Sequence, residues 1–326
     1  MNDLLRFILK RTVTTAFVLM AIIVLIFLIT HMMPGDAVDI MLGGIATQSL
    51  GDNTIADLRH SLGLDLPLYQ QLFNWLWALS QGDMGTSYVF DTPIAPLIAE
   101  RLQNSLLLAV PAALMMIIFG LTSGVISAVK KDSWVDHSIS FFNLVMLSIP
   151  PFLVGALFIY IFSVQLHWIP AAFNAIDMDD MSFWTKLTTY SSILIFPSLT
   201  MAFGSIAYVS RQTRASMIEE LKNNYVRTAV LKGVSPRNVI IRHALRNGLL
   251  PAITVIAFNI GQIIAGTIII EVVFSYPGIG DLMILALKYR DIPLILATMV
   301  VVSAAYVLAN LIADILYTQL NPKIAY

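Results

Sequence analysis

The sequence predicts an all-α membrane protein with six transmembrane helices and both termini in the cytoplasm, and three observations carry that expectation. Hydrophobic residues make up 58% of the 326 positions and mean hydropathy is +0.80, whereas a soluble domain is roughly 45–50% apolar. Six runs are nearly free of charge: Val13 to His31, Leu106 to Val129, Ile139 to Ser163, Ile193 to Val209, Leu249 to Ile270 and Leu294 to Ala313. Each is near or above the length of about 18 residues that crosses a bilayer as a helix. With the N-terminus inside, fourteen of the 19 Lys and Arg fall on inner segments, and Arg59, Arg101, Lys186, Lys288 and Arg290 fall outside. That is the positive-inside bias.

Taken in order, the first run follows Arg6, Lys10 and Arg11 as a signal peptide would. It is longer than the apolar core of such a peptide, and HMMPGDAV after it has no small-x-small cleavage site, so it is read as a retained helix. Residues 32–103 form an outer segment with turn signals at Pro34-Gly35 and Gly43-Gly44, and with Asp36, Asp39, Asp52, Asp57, Asp65, Asp83 and Asp91. Within it, PLYQQLFNWLWAL from Pro67 repeats Leu68, Leu72, Trp75, Leu76 and Leu79 at helical spacing. The spacing predicts a helix lying at the membrane surface with Trp75 and Trp77 at headgroup level.

The second and third runs, Leu106 to Val129 and Ile139 to Ser163, contain Pro111, Pro150 and Pro151, and the fourth contains Pro197. Bundled helices in lipid tolerate such prolines, so each run is expected to remain one span. Between the third and fourth, Asp177, Asp179 and Asp180 lack the alternating ligand spacing of a cation loop, so no metal site is assigned. The chain has no cysteine, which excludes disulfides and thiolate metal ligands,. His31, His60, His137, His167 and His243 form no ligand-spaced pair,.

Residues 211–248 hold eight of the basic residues in an inner loop. Val226, Ala229, Val230 and Gly233 share a helical face, with Arg227 and Lys232 beside it. Ser235-Pro236 then starts a second helix, Ser suiting the N-cap and Pro the first helical position. That helix places Val239, Ile240, His243 and Ala244 on one face, flanked by Arg237, Arg242 and Arg246. A loop lying on lipid headgroups is one reading. A docking device is the other, because the small residues Ala229 and Gly233 suit close approach to a partner surface.

In the fifth run Asn259 and Gln262 are polar groups at membrane depth. They either line a pathway or hydrogen-bond between helices. Ala257, Gly261 and Ala265, and Ala305, Ala309 and Ala313 in the last run, are spaced for close helix packing. Asp314 suits an interfacial anchor.

Tyr225-Val226-Arg227-Thr228-Ala229, with Gly233 four residues after Ala229, resembles the EAA coupling loop of permease subunits of ATP-binding-cassette importers. Its continuation through Arg242-His243-Ala244-Leu245-Arg246-Asn247 to Leu250-Pro251 resembles the oligopeptide, dipeptide and nickel branch. Arg227 stands where the general motif has Glu and Thr228 where it has Ala, and the Leu-Pro lies further from the glycine, as suits that branch. LGLDLPLYQQ from Leu62, GDMGTS from Gly82, IAERLQNSL from Ile98, SIPPF from Ser148, WIPA from Trp168, EVVFSYPGIGDL from Glu271, RDIP from Arg290 and NPKI from Asn321 are similar to the same branch, in order, over nearly the whole chain.

The resemblance implies a type I importer permease fold forming one transmembrane domain over 1–326, in a bacterial or archaeal cytoplasmic membrane. It implies a second homologous permease, two cytoplasmic ABC ATPases, an extracytoplasmic substrate-binding protein and membrane lipid as partners, with no nucleic acid. It implies that Val226, Ala229 and Val230 make the buried contact with an ATPase, Thr228 belonging to the same motif, while Arg227, Lys232 and Arg237 fix register at an acidic rim. Glu271, Asp281, Arg290 and Asp291 are implied in an outer gate and binding-protein dock, a local salt bridge being the other reading. The chain has no G-x-x-x-x-G-K-[ST] loop, so ATP and Mg²⁺ are expected on the ATPases, with no cofactor here and no catalysis by this chain,. Peptide is the expected substrate and nickel or a metal chelate the alternative. An ion-coupled secondary transporter and a lipid-binding scaffold are the readings from other classes.

Overall fold

The computed structural model describes residues 2–32, 63–169 and 183–320, with residues 38, 56, 57, 59 and 60. The turns at Pro34-Gly35 and Gly43-Gly44, the acids Asp36, Asp39, Asp52, Asp177, Asp179 and Asp180, and Lys323 lie outside the described residues.

Among the described residues every long element is a helix. These are α1 (Asn2–His31), α2 (Leu68–Ser80), α3 (Ile94–Val129), α4 (Trp134–Ser148), α5 (Pro151–Phe158), α6 (Phe183–Glu220), α7 (Asn224–Leu231), α8 (Leu250–Val273), α9 (Ile279–Tyr289) and α10 (Ile292–Leu320). Five helical stretches among the described residues are long and apolar enough to cross a membrane, namely Arg6–His31, Ile94–Val129, Ile193–Glu220, Leu250–Val273 and Ile292–Ile315. Most overrun the apolar runs that announce them. Hydropathy marks the part matched to lipid, and the helix continues while its backbone can bond to itself.

The third run departs from expectation. Instead of one straight helix, α4 and the stretch Pro151–Gln165 meet at an angle of 101°. Two consecutive prolines remove two adjacent N–H donors, and Ile149 before them is forced to an extended ψ of 124°,. Beyond α5 the chain continues as a π-type stretch, Ile159–Gln165. Pro111 and Pro197 each stand alone inside continuous helices. Near Pro111, Ser198 Oγ donates to the Leu108 carbonyl at 3.2 Å and so ties α6 to α3.

Contacts group the chain into two units. The first comprises residues 1–12, 105–276 and 306–326. Its core repeats at helical spacing: Leu108, Ala112 and Met116 of α3, Ala202, Ile206 and Val209 of α6, and Ile256, Ile263 and Ile270 of α8. Glycines set how closely these helices approach. A Cβ added at Gly124 of α3 would lie 2.6 Å from the Ser210 carbonyl oxygen of α6, and one at Gly261 of α8 would lie 2.6 Å from Asn310 Oδ1 of α10. Of the small face expected on α8, Ala257 and Gly261 are buried and Ala265 is exposed. Ser123 Oγ and Asn143 Nδ2 each donate to Ser210 Oγ at 2.9 Å, joining α3, α4 and α6 through groups that lipid could not satisfy,.

The second unit comprises residues 13–104 and 277–305. Ile94 and Ile98 of α3 pack with Ile279, Leu282 and Ala286 of α9 and with Leu294, Ile295 and Ala297 of α10. The surface helix is present as α2, and Leu72 and Trp75 turn inward, Trp75 stacking on Phe27 of α1 with centroids 5.6 Å apart. The outward face carries Tyr69, Phe73 and Trp77, each more than 60% exposed. Their i, i+4, i+8 spacing makes an aromatic stripe suited to the headgroup layer.

Candidate functional site

The inner loop folds as helix, turn, helix. Its first helix, α7, begins after Asn223 and ends at Leu231, where Gly233 adopts φ +76°, a backbone position at which any Cβ is strained,. Ser235 is the N-cap residue of the next helical stretch, although its side chain makes no capping bond. That stretch runs through Pro236–Asn238, a π-type segment Val239–Ala244 and Leu245–Gly248 into α8.

The loop's buried face is turned toward its own chain. Val226 and Ala229, expected to meet an ATPase, are 3% and 6% exposed and pack with Ala128, Met217, Val239 and Ala244. Residues three apart on a helix lie on one side, and here that side seals the loop onto α3 and α6. Val230 and Leu231, at 58% and 87% exposure, project outward with Arg227, Thr228, Lys232, Gly233 and Arg237. Leu231 is absent from the sequence-based reading, yet as a large apolar residue beside Lys232-Gly233 it falls off the Val226–Ala229 face and so must point elsewhere.

A polar knot fixes the base of the loop. The Tyr225 hydroxyl donates to Glu220, accepts from Asn247 Nδ2 at 3.1 Å and lies 3.3 Å from the His243 carbonyl. Burial raises the phenol above its ordinary pKa, and the bond to Glu220 adds to that. It therefore stays a neutral donor at physiological pH.

Along α5, α6 and α8 lies an open-sided cavity of about 820 Å³. Asn259 and Gln262 line it together with Ser205, Tyr208, Thr254 and Phe258. None of the described lining residues carries a formal charge. Asn259 Nδ2 donates to the Val255 carbonyl at 2.8 Å within its own helix. Gly204 and Gly266 also line the cavity, and a Cβ added at either would meet nothing within 4 Å.

In the first unit Glu271 is fully buried and accepts from Ser105 Oγ. In the second, Asp281 faces Arg101 at 3.7 Å, and burial raises its carboxyl above the usual aspartate range while the guanidinium opposes the shift. Asp291 accepts from Ser87 Oγ, from Val89 N at 3.1 Å and from Leu294 N at 3.2 Å. It thus caps α10 and holds the 87–89 turn, while Arg290 before it takes the left-handed conformation that ends α9,.

Residues 120–326 match the family described as binding-protein-dependent transport system inner membrane component, and residues 4–109 match its N-terminal companion. The chain belongs to this family. Among its relatives is a probable peptide ABC transporter permease protein, y4tP, of Sinorhizobium fredii, 34% identical over 98% of this chain and 99% of that one. The glutathione transport system permease protein GsiC of Escherichia coli K12 is 35% identical over 99% of this chain and 100% of its own length, as is GsiC of Shigella flexneri. The protein is therefore a multi-pass inner-membrane permease component of a binding-protein-dependent ABC transport system.

Membership sets aside the ion-coupled transporter. The acid in the last span has a structural partner, Arg11 Nε donating to Asp314 Oδ2 at 2.6 Å. In this permease the sequence-predicted coupling residues come together on one loop and the pathway residues on one cavity wall.

Proposed function

We propose that this permease component imports peptides, passing them along the wall of α5, α6 and α8 while its inner loop docks on an ATPase. The observation that carries the reading is the division of labour within α7. Val226 and Ala229 anchor the helix inward, which leaves Val230 and Leu231 as an exposed apolar edge rimmed by Arg227, Lys232 and Arg237. An exposed apolar centre with a cationic rim suits a cleft with an acidic border. ATP and Mg²⁺ belong to two such ATPases, and a second permease completes the pathway opposite this one. A binding protein delivers substrate from outside.

The cavity favours peptides over metal ions. Neutral amide and hydroxyl groups at Asn259, Gln262, Ser205 and Thr254 pair with peptide N–H and C=O groups, whereas a desolvated nickel ion needs imidazole, carboxylate or thiolate ligands. Two of the relatives are named for peptide and glutathione transport, and glutathione is itself a tripeptide.

The test is purification of the tagged chain with its native partners, reconstitution into liposomes, and ATP-dependent uptake of radiolabelled trialanine. Co-purification of ATPases with the wild type, their loss on Leu231→Asp, and uptake of the tripeptide are expected. Nickel uptake without peptide uptake would transfer the reading to metal chelates. Absence of any ATPase after gentle solubilisation would overturn the docking role.

A further inference from the structure

Asp136 lies in the first turn of α4, three residues after the N-cap Ser133, and its side chain is only 1% exposed. Both carboxylate oxygens are engaged. Arg214 of α6 donates through Nε to Oδ1 and through Nη2 to Oδ2, each at 2.7 Å. The Asp132 backbone N–H donates to Oδ2 at 2.9 Å, and Ser127 of α3 donates to Oδ1. Asp132 itself has φ 62°, a left-handed turn that aims its N–H at the carboxylate. One carboxylate therefore gathers the ends of three helices.

An ion pair with a buried carboxylate is weak evidence for stability, because packed apolar residues of similar size do as well or better. What a bidentate guanidinium pair adds is a fixed distance and angle. The elements so fixed lead in two directions. Met217, three residues beyond Arg214 on α6, packs with Val226, Ala229, Val239 and Ala244 of the inner loop. Ala128, next to Ser127, belongs to the same cluster. In the other direction α4 runs to the 101° break, after which Pro151 and Phe152 line the cavity.

We propose that the Asp136–Arg214 pair is a positioning element of transport, making the inner ends of α3, α4 and α6 move with the docking loop as one body. Displacement of the loop then reaches the broken third span and the cavity wall it carries. The inference rests on the reading of this loop as the ATPase handle. It does not depend on the substrate being a peptide.

The chain has no cysteine, so spin labels at Asn224→Cys on α7 and Phe141→Cys on α4 are specific when placed in the complex with cysteine-free partner subunits. Both positions are exposed. The distance between labels is expected to be the same in the nucleotide-free and vanadate-trapped complexes, whereas with Asp136→Asn it changes on trapping by more than about 2 Å, the scale of helix shifts at interfaces. Stimulation of ATP hydrolysis by the binding protein should fall between about twofold and thirtyfold in that variant. Arg214→Lys keeps the charge but loses the fork and should lie between. The exchange Asp136→Arg with Arg214→Asp tests orientation if the single variants assemble poorly, and should recover both readouts in part.

An unchanged distance in both states of Asp136→Asn, or a loss of stimulation no greater than the loss of assembled complex, would overturn the proposal and leave the pair a packing feature. A wild-type distance that itself changes on trapping would also overturn it. Failure of the wild-type chain to retain any ATPase removes the handle reading, and this proposal with it. Failure of trialanine uptake alone touches neither.

Discussion

The glycine seam between α3 and α6 offers a sharp test of the packing. Replacing Gly124 by alanine places a methyl group 2.6 Å from the Ser210 carbonyl oxygen and 2.6 Å from Thr213 Cβ. Ordinary contact begins near 3.4 Å, so the helices must part by the difference, 0.8 Å. Neither obstacle is the flexible end of a long side chain. A gap of about 0.5–1 Å forfeits a quarter to a half of each dispersion contact along the seam, and overpacking of this kind costs about 1–3 kcal/mol. The bond from Ser123 Oγ to Ser210 Oγ lies in the same seam and stretches with it. Alanine returns at most about 1 kcal/mol over glycine in helix propensity. The net expectation is destabilisation by about 2 kcal/mol, roughly a thirtyfold shift of the folding equilibrium. Gly204→Ala on α6 is the internal control, because its methyl meets nothing within 4 Å and receives the propensity gain alone. Size-exclusion chromatography of the detergent-solubilised chain after graded heating should place Gly124→Ala below the wild type and Gly204→Ala at or above it. Equal shifts for the two variants would refute the seam argument.

Within the inner loop, Leu231→Asp should weaken ATPase binding by roughly thirtyfold, a hot-spot loss of about 2 kcal/mol, without lowering thermal stability. Val226→Ala should do the reverse, costing about 2 kcal/mol of stability through the cavity it leaves. Binding and melting measured on both variants decide, and a loss of ATPase binding confined to Val226→Ala would sink the assignment of faces. Gly233→Val should cost about 1–2 kcal/mol from backbone strain alone, since nothing lies within 4 Å of the added Cβ,. Gly233→Asn should cost less, and limited proteolysis of the loop reads the difference. Near the outer surface, the hydrogen bond between His60 and Asp65 raises the imidazole above 6.5 and lowers the carboxyl below 3.8. The His60 contribution is complete below 6.5 and is lost as pH rises through its raised value; that of Asp65 is complete above 3.8 and is lost as pH falls through its lowered value,. The Gly63 and Leu64 amides, which donate to the His60 and Arg59 carbonyls, should accordingly be better protected at pH 6 than at pH 8.5 after correction for intrinsic exchange. Greater protection at the higher pH would contradict the pairing.

The spans were readable because hydropathy is a local property, and so was the helix–glycine–helix form of the inner loop, announced by Gly233 and Ser235-Pro236. What sequence reasoning missed depends on partners distant along the chain. Pro111 and the Pro150-Pro151 pair look alike in a hydropathy scan. The first removes a single donor from a helix that continues through it, whereas the second removes two successive donors and bends the span,. The face of α7 was misassigned for a similar reason: its periodicity groups Val226, Ala229 and Val230, but only Met217 and Ala128 decide that the first two turn inward. Asp136 carried a local signal as the acid three residues after Ser133. Nothing in sequence joined it to Arg214.

The broken third span bears on how the chain is made. Each half, Trp134–Ser148 and Pro151–Gln165, is 15 residues, or about 22 Å of helix, short of a hydrocarbon layer about 30 Å thick. Neither half is a self-sufficient signal for insertion. Gly155 rests on Thr200, Val273 and Phe274, and the ring of Phe162 lies 4.4 Å from that of Phe196, all later in the chain. At about 5–20 residues per second, the second half waits at the ribosome-bound translocon for seconds to tens of seconds before its neighbours emerge. The second half of the span therefore emerges before the surfaces it packs on, and nascent chains arrested before Thr200 are the ones in which it should be open to cross-linking.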